Sequence, residues 1–200
     1  MEIDFRALIA ILMSTALVNN YVLRQFLGVC PFLGVSKDIK SSAGMGVAVV
    51  FVMLMAAAVT WPIQTFLLAP NGLGFMQTVV FILVIATLVQ LVEVVLKKYI
   101  PSLFASLGVY LPLMTTNCAV LAVTITNINN EHTYIESLVH ALGAGLGFLL
   151  AMIIFTGIRT QNENANPPGP FKGLPITLIS AAILSMAFFA FDGVIDNLFR

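Results

Sequence analysis

Phe26-Leu27-Gly28-Val29-Cys30-Pro31-Phe32-Leu33-Gly34 sets a thiol among helix breakers, inside a run of apolar residues that otherwise belongs in lipid. Proline removes a backbone donor and clashes with the preceding turn of a helix. A continuous helix through this stretch is therefore not expected. Leu113-Met114-Thr115-Thr116-Asn117-Cys118-Ala119-Val120-Leu121 answers it in the second half of the chain, and the two stretches hold the only two cysteines.

The composition fixes the class. The chain has 200 residues, 60% of them hydrophobic and 9% charged, with zero net charge. Soluble domains carry about 25% charged residues, so the inventory predicts an integral membrane protein. No basic face points to nucleic acid. The mixed-charge start, Met1-Glu2-Ile3-Asp4-Phe5-Arg6, precedes an apolar run with no small-residue cleavage site. It predicts a retained span, not a cleaved signal peptide.

Charges divide the apolar sequence into six runs: 7–36, 43–69, 71–92, 99–130, 137–158 and 173–191. Each exceeds the length of about 18 residues that marks a spanning helix. The expected fold is all-α, because in lipid each backbone polar group must be paired within its own segment. The runs are too long, and alternation too weak, for a barrel. The whole chain, 1–200, reads as a single membrane domain.

Runs one and four are over-long. Thirty helical residues would reach about 45 Å, against a hydrocarbon core of about 30 Å. Both contain breakers: Gly28, Pro31 and Gly34 in the first, Gly108 and Pro112 in the fourth. The first and fourth helices are therefore expected to be broken near the cysteines, the alternative being a kinked or tilted helix. Aligning Cys30 with Cys118 also aligns Leu33 with Leu121 and Val35 with Val123. Further on, Ala43-Gly44-Met45-Gly46-Val47 sits like Leu142-Gly143-Ala144-Gly145-Leu146. Three spans per half, about 1–98 and 99–200, predict two repeats of opposite orientation, the plan in which broken helices meet near the midplane.

Lys and Arg set the orientation. Lys37, Lys40, Lys97, Lys98, Arg159 and Lys172 fall on one side, against Arg6 and Arg200 on the other. The positive-inside rule then places both termini outside the cytoplasm. Gln161 to Lys172, with its Asn-Pro-Pro-Gly-Pro core, reads as a polar cytoplasmic loop.

Several residues could carry chemistry. Two cysteines are too few for a disulfide framework, and small buried hydrophobes are the simplest reading of both. As metal ligands they would supply half of the four thiolates an iron–sulfur cluster usually takes, so a partner chain would have to supply the rest. Gly28 and the break at Pro31 would free amide donors near Cys30, and Thr115, Thr116 and Asn117 offer donors near Cys118. Glu93, four residues before Lys97, reads as an interfacial ion pair or as a site for a translocated cation. Asn19 and Asn20 lie mid-span and read as packing contacts or as part of such a cation site. His140 reads as a hydrogen-bonded interior residue, and Arg24 as a snorkelling or subunit-facing cation. Asp192 and Asp196, after the last run, read as solvated. Gly143 and Gly147 form a GxxxG of the close-packing kind.

The stretches 18–23, 26–36, 111–121 and Gly157-Ile158-Arg159 resemble the Rnf/Nqr family of six-span membrane subunits, and the resemblance covers nearly the whole chain. Asn19-Asn20 and Cys30-Pro31-Phe32 are closer to the A-type subunit of Rnf complexes than to the E-type subunit of the sodium-pumping quinone reductase. Arg24 departs from the family pattern. The resemblance implies a membrane-embedded electron-relay subunit, not catalytic alone, of an ion-translocating ferredoxin:NAD oxidoreductase complex in a bacterial or archaeal cytoplasmic membrane. It implies one intramembrane 2Fe–2S cluster shared with a homologous six-helix E-type subunit of opposite orientation. Cys30 and Cys118 would be the ligands from this chain, with Gly28, Val29, Pro31, Thr116, Asn117 and Ala119 around them. Flavins and further clusters would reside in the other subunits, of B, C, D and G types, and electron flow would drive Na⁺ or H⁺. A quinone-reductase subunit, or an Rnf-like system reducing a redox regulator, would use the same scaffold. The rival of another class is an inverted-repeat secondary transporter, where Asp, Glu or bare carbonyls would more often occupy the breaks.

Overall fold

The structure, a computed structural model, describes residues 5–30, 34, 39–72, 74–99, 117–164, 168 and 173–190. Among these residues the fold is helical, without strands. Helix α1 (Phe5–Met13) continues through a π-helical turn, Ser14–Val18. Then follow α2 (Ile39–Ile63, extended by a π turn to Leu68), α3 (Gln77–Tyr99), α4 (Cys118–Asn129), α5 (Tyr134–Asn164) and α6 (Leu174–Phe189).

Three of these helical stretches are long and apolar enough to cross a membrane: Ile39–Leu68, Gly74–Val95 and Tyr134–Asn162. The protein is a multi-pass membrane protein. The shorter apolar helices, Leu8–Val18, Cys118–Asn129 and Pro175–Phe189, belong to runs one, four and six. They fall short of the expected length for local reasons. Asn19 and Asn20 end the π turn of α1. Asn117 starts α4 late in its run. Gly173, at φ 90°, with Pro175 in the first turn, opens α6.

Helix ends also differ from the apolar limits. Helix α2 begins four residues before the expected Ala43, and α3 runs from Gln77 to Tyr99 instead of 71–92. Backbone hydrogen bonding continues past the last apolar residue, and Lys97 and Lys98 suit the negative end of the α3 dipole. Within α2, Pro62 lacks the N–H the ladder needs, and the helix widens into a π turn directly after it.

The core centres on α2 and α5, which pack along most of their length. Ser42 and Thr156 hydrogen-bond through their hydroxyls at 2.8 Å near one end. The Trp61 indole donates to the His132 carbonyl at 2.9 Å near the other. The two helices therefore run antiparallel. Close approach is made by glycine: a Cβ on Gly46 would lie 3.1 Å from Leu149, and one on Gly145 would lie 2.9 Å from the Val50 Cα. These two contacts are reciprocal. Residues 46 and 145 are equivalent in the repeat alignment, and so are 50 and 149. The GxxxG of α5 faces α1: Cβ atoms on Gly143 and Gly147 would lie 3.0 and 2.8 Å from the carbonyls of Leu12 and Ala16. That is the close packing its spacing predicts.

The antiparallel order gathers Lys40, Lys97, Lys98 and Arg159 at the Ser42–Thr156 end. Pro31, Gly108, Pro112 and Thr116, most of the loop before Lys172, and Asp192 and Asp196 lie outside the described residues.

Candidate functional site

The break in the first run is built from residues 19–28. After the π turn, the chain leaves the helix at Asn19 (φ −93°, ψ 41°). Unpaired backbone at membrane depth is costly, and Asn20 resolves much of that cost. Its side chain is 1% exposed. Its Oδ1 accepts the N–H groups of Val22 at 3.0 Å and Leu23 at 3.4 Å. Its Nδ2 donates to the Gly147 carbonyl at 2.7 Å and to the Ala16 carbonyl at 3.4 Å. Leu27 N–H donates to the Tyr21 carbonyl at 2.9 Å, and the Ser185 hydroxyl donates to the Leu23 carbonyl. Two left-handed residues, Phe26 (φ 54°) and Gly28 (φ 83°), complete the turn. A phenylalanine in this region is uncommon, and such conformations cluster at functional sites.

The break lies beside the middle of α5. Asn20 bonds Gly147, and a Cβ on Gly28 would lie 3.1 Å from the Phe148 ring. Gly147 and Phe148 are the 14th and 15th of the 31 residues of α5. The chain thus spends residues 20–28 at one level of the bundle without crossing it.

Here the two cysteine stretches meet. The backbone N–H of Gly28 donates to Cys118 Sγ at 3.0 Å. Cys118 is the first residue of α4, where unpaired amides give a helix its positive end. Asn117 caps that helix in an extended conformation (φ −69°, ψ 107°), its Oδ1 accepting Ala119 N–H at 3.1 Å. The same Oδ1 would lie 3.0 Å from a Cβ on Gly28, and the Ala119 methyl 3.3 Å from it. Asn117 Nδ2 is buried and has no hydrogen-bond partner among the described residues. Both cysteines are free thiols, Cys30 exposed and Cys118 half-buried.

The structure thus brings Gly28, Asn117, Cys118 and Ala119 together, with Val29 and Cys30 following directly in a helical turn. Pro31 and Thr116 fall outside the described residues. Asn19 and Asn20 lie at the break and Glu93 on α3. Asn19 is exposed, with Oδ1 accepting Arg24 Nη1 at 2.7 Å and Nδ2 donating to Ser14 Oγ at 3.2 Å. Glu93 is half-buried on α3, two turns before the helix ends. Arg24 also lies over the Phe189 ring, 5.6 Å from its centroid. His140 is an interior residue, hydrogen-bonded to the Tyr21 hydroxyl at 3.3 Å. Sequence reasoning missed Tyr21 and Phe148. A tyrosine directly after two asparagines within a span was the available signal for the first, and an unmarked apolar residue gives none for the second.

A thiolate sulfur that accepts a main-chain N–H, at a helix start and beside a buried amide with donor capacity to spare, is suited to hold a soft metal. The sequence matches the family described as Rnf-Nqr subunit, membrane protein, over residues 8–195. The chain belongs to the Rnf-Nqr family. Relatives include the A subunit of the Na(+)-translocating ferredoxin:NAD(+) oxidoreductase complex of Acetobacterium woodii, 52% identical over 187 residues, covering 94% of this chain and 97% of that protein. The A subunit of the ion-translocating oxidoreductase complex of Syntrophotalea carbinolica is 48% identical over 190 residues, covering 95% and 98%. The protein of that name in Proteus mirabilis is 50% identical over 182 residues, covering 91% and 94%. These Rnf-Nqr relatives match along nearly their full length, so the Gly28–Cys118 contact lies well inside the shared region.

Proposed function

We propose that this chain is the A-type subunit of an Rnf complex and relays electrons through the membrane from a cluster site at Cys30 and Cys118. The observation that carries the reading is the Gly28 N–H bond to Cys118 Sγ, which joins the two cysteine stretches across 90 positions. The residues fit the group. Cys118 supplies a thiolate ligand from a helix start, and Cys30 supplies the second. Gly28 stabilises charge on the Cys118 sulfur through its N–H. Asn117 holds the start of α4 and keeps a spare buried donor nearby. Such donors tune potential. A 2Fe–2S cluster bound here supplies one-electron transfer.

Two cysteines meet half of the usual ligand count. The other two come from a homologous E-type subunit of opposite orientation. The reciprocal Gly46–Leu149 and Gly145–Val50 contacts support the corresponding inverted repeat within this chain, since a two-fold axis pairs i with j and j with i. The basic end bearing Lys40, Lys97, Lys98 and Arg159 is cytoplasmic by the positive-inside rule, with both termini opposite. The partner subunits handle ferredoxin and NAD, and electron flow drives Na⁺ or H⁺ across the cytoplasmic membrane. The names of the relatives support that assignment.

Cys118→Ser and Cys30→Ser, each in the purified complex, test the site. Each substitution is expected to remove the iron assigned to the membrane subunits and its electron paramagnetic signal, with the other cofactors retained. Unchanged iron and spectrum would refute the assignment.

A further inference from the structure

A second polar feature lies between α1, α4 and the start of α5. A cleft of about 500 Å³ is lined by Ser14, Thr15, Tyr21, Thr126, His132 and His140, among others. This concentration of polar side chains between apolar spans is costly unless water or a polar ligand meets it. Asn130 and His132 lie at its outer end, in the turn joining α4 to α5. His140 lies six residues into α5, about 9 Å along its axis. Tyr21 lies in the broken segment, next to Asn20, so the cleft extends toward the middle of the bundle.

The inner wall is a chain of hydrogen-bonding rings. The Tyr21 hydroxyl meets His140 Nε2 at 3.3 Å, with the two rings edge to face at 80°, and Thr126 lines the same cleft. The His132 and His140 ring centroids are 5.4 Å apart. His140 Nδ1 is buried and has no hydrogen-bond partner among the described residues. The ring thus has one nitrogen engaged and one in reserve.

We infer that this cleft is a water-filled proton-access site, open at the α4–α5 turn, with the Tyr21–His140 pair as its proton acceptor. The Tyr21–His140 pair supplies the proton chemistry, because imidazole beside phenol binds and passes protons, and the hydroxyl and amide groups of Ser14, Thr15, Gln25, Thr126 and Asn130 line the way to it for water. Uptake of one proton gives His140 two N–H donors, and the Tyr21 hydroxyl then accepts from Nε2. The ionisable groups facing the pair are His132 and, 4.0 Å from His132, Glu136. Helix α1 contributes hydroxyls, α4 contributes Thr126, and the one ionisable side chain of α2, Lys40, lies at the far end. The site is also wired to the cysteines through the main chain. The Tyr21 carbonyl accepts Leu27 N–H, and the next amide, Gly28, donates to Cys118 Sγ. Only that last connection depends on the cluster reading.

Two measurements on the intact complex in sided membrane vesicles test the site. Asn130→Cys, Ser14→Cys and Gln25→Cys, followed with a membrane-impermeant maleimide against the background of the parent protein, are expected to label from the extracytoplasmic face alone. Labelling of Asn130→Cys without the two deeper positions, labelling from the cytoplasmic face, or none at all, would overturn the proposal. Diethyl pyrocarbonate modification of His140, read by peptide mass spectrometry, is expected to rise about tenfold per pH unit below the pKa of the ring and then level off. Tyr21→Phe is expected to move that profile along the pH axis. A His140 that reacts at no pH, or a profile unmoved by Tyr21→Phe, would overturn it. Neither readout involves iron or electron flow, so failure here and failure of the cluster site are separate results.

Discussion

Gly28 and Cys118 are 90 positions apart in sequence, and the main-chain N–H of the first donates to the sulfur of the second at 3.0 Å. The contact needs a glycine for two reasons. The φ of 83° lies in the left-handed region, and a Cβ would crowd Asn117, Phe148 and Ala119. Gly28→Ala is expected to cost about 1–3 kcal/mol through backbone strain, with added loss from the crowding. Thermal unfolding of the purified complex should show a clear drop. Gly44→Ala, where nothing lies within 4 Å of the added methyl, should show no drop.

Asn117 separates two roles. Asn117→Ala removes the cap of α4 and should cost about 1 kcal/mol, while Asn117→Ser keeps a capping oxygen and restores most of it. Both variants lose the spare buried amide donor. A shift in the midpoint potential of the proposed membrane cluster in both, with stability recovered in the serine variant alone, is the expected pattern in redox titration and thermal unfolding.

Asn20 and Asn19 are adjacent yet unequal. Asn20→Leu strands the N–H groups of Val22 and Leu23 inside the bundle and removes the bond to the Gly147 carbonyl, which should cost about 2–4 kcal/mol. Asn19→Ala removes exposed bonds to Arg24 and Ser14 and should stay within about 0.5 kcal/mol. Comparing expression and thermal stability of the two variants tests which asparagine supports the break.

The glycine contacts of α5 predict a graded series. Gly147→Ala and Gly145→Ala place a methyl within 3.0 Å of the Ala16 carbonyl and the Val50 backbone, and overpacking of this kind costs about 1–3 kcal/mol. Gly157→Ala, facing open space on the same helix, should be neutral or stabilising. Equal losses at all three positions in thermal unfolding would refute the packing geometry.

The sequence makes some of these relations readable and hides others. A break in the first run is legible because the run is over-long and contains Gly28, Pro31 and Gly34, but its opening at Asn19 is not, because two mid-span asparagines read equally well as packing contacts. The start of α4 at Cys118 is half-legible. Asn117 is a good cap, but a cap is recognised only when the helix after it is expected to begin there. Helix ends are poorly legible in chains this apolar. Hydrophobicity reports where lipid is, while the backbone ladder of α3 continues to Tyr99 regardless. The Tyr21–His140 contact is not legible at all, because 119 positions separate its partners and each has another explanation as a single polar residue in a span.

The donor at the cysteine site belongs to the main chain, and this sets how the site can be perturbed. Replacement of the Gly28 side chain leaves an N–H in place, so a scan of side chains tests its position and never its presence. Proline would delete it, but proline cannot adopt a φ of 83°. An amide-to-ester exchange at the Leu27–Gly28 linkage, introduced by an α-hydroxy acid, removes that hydrogen atom with little change in shape. The electrostatic contribution of the peptide bond to Cys118 is therefore accessible to backbone chemistry and hidden from conventional mutagenesis.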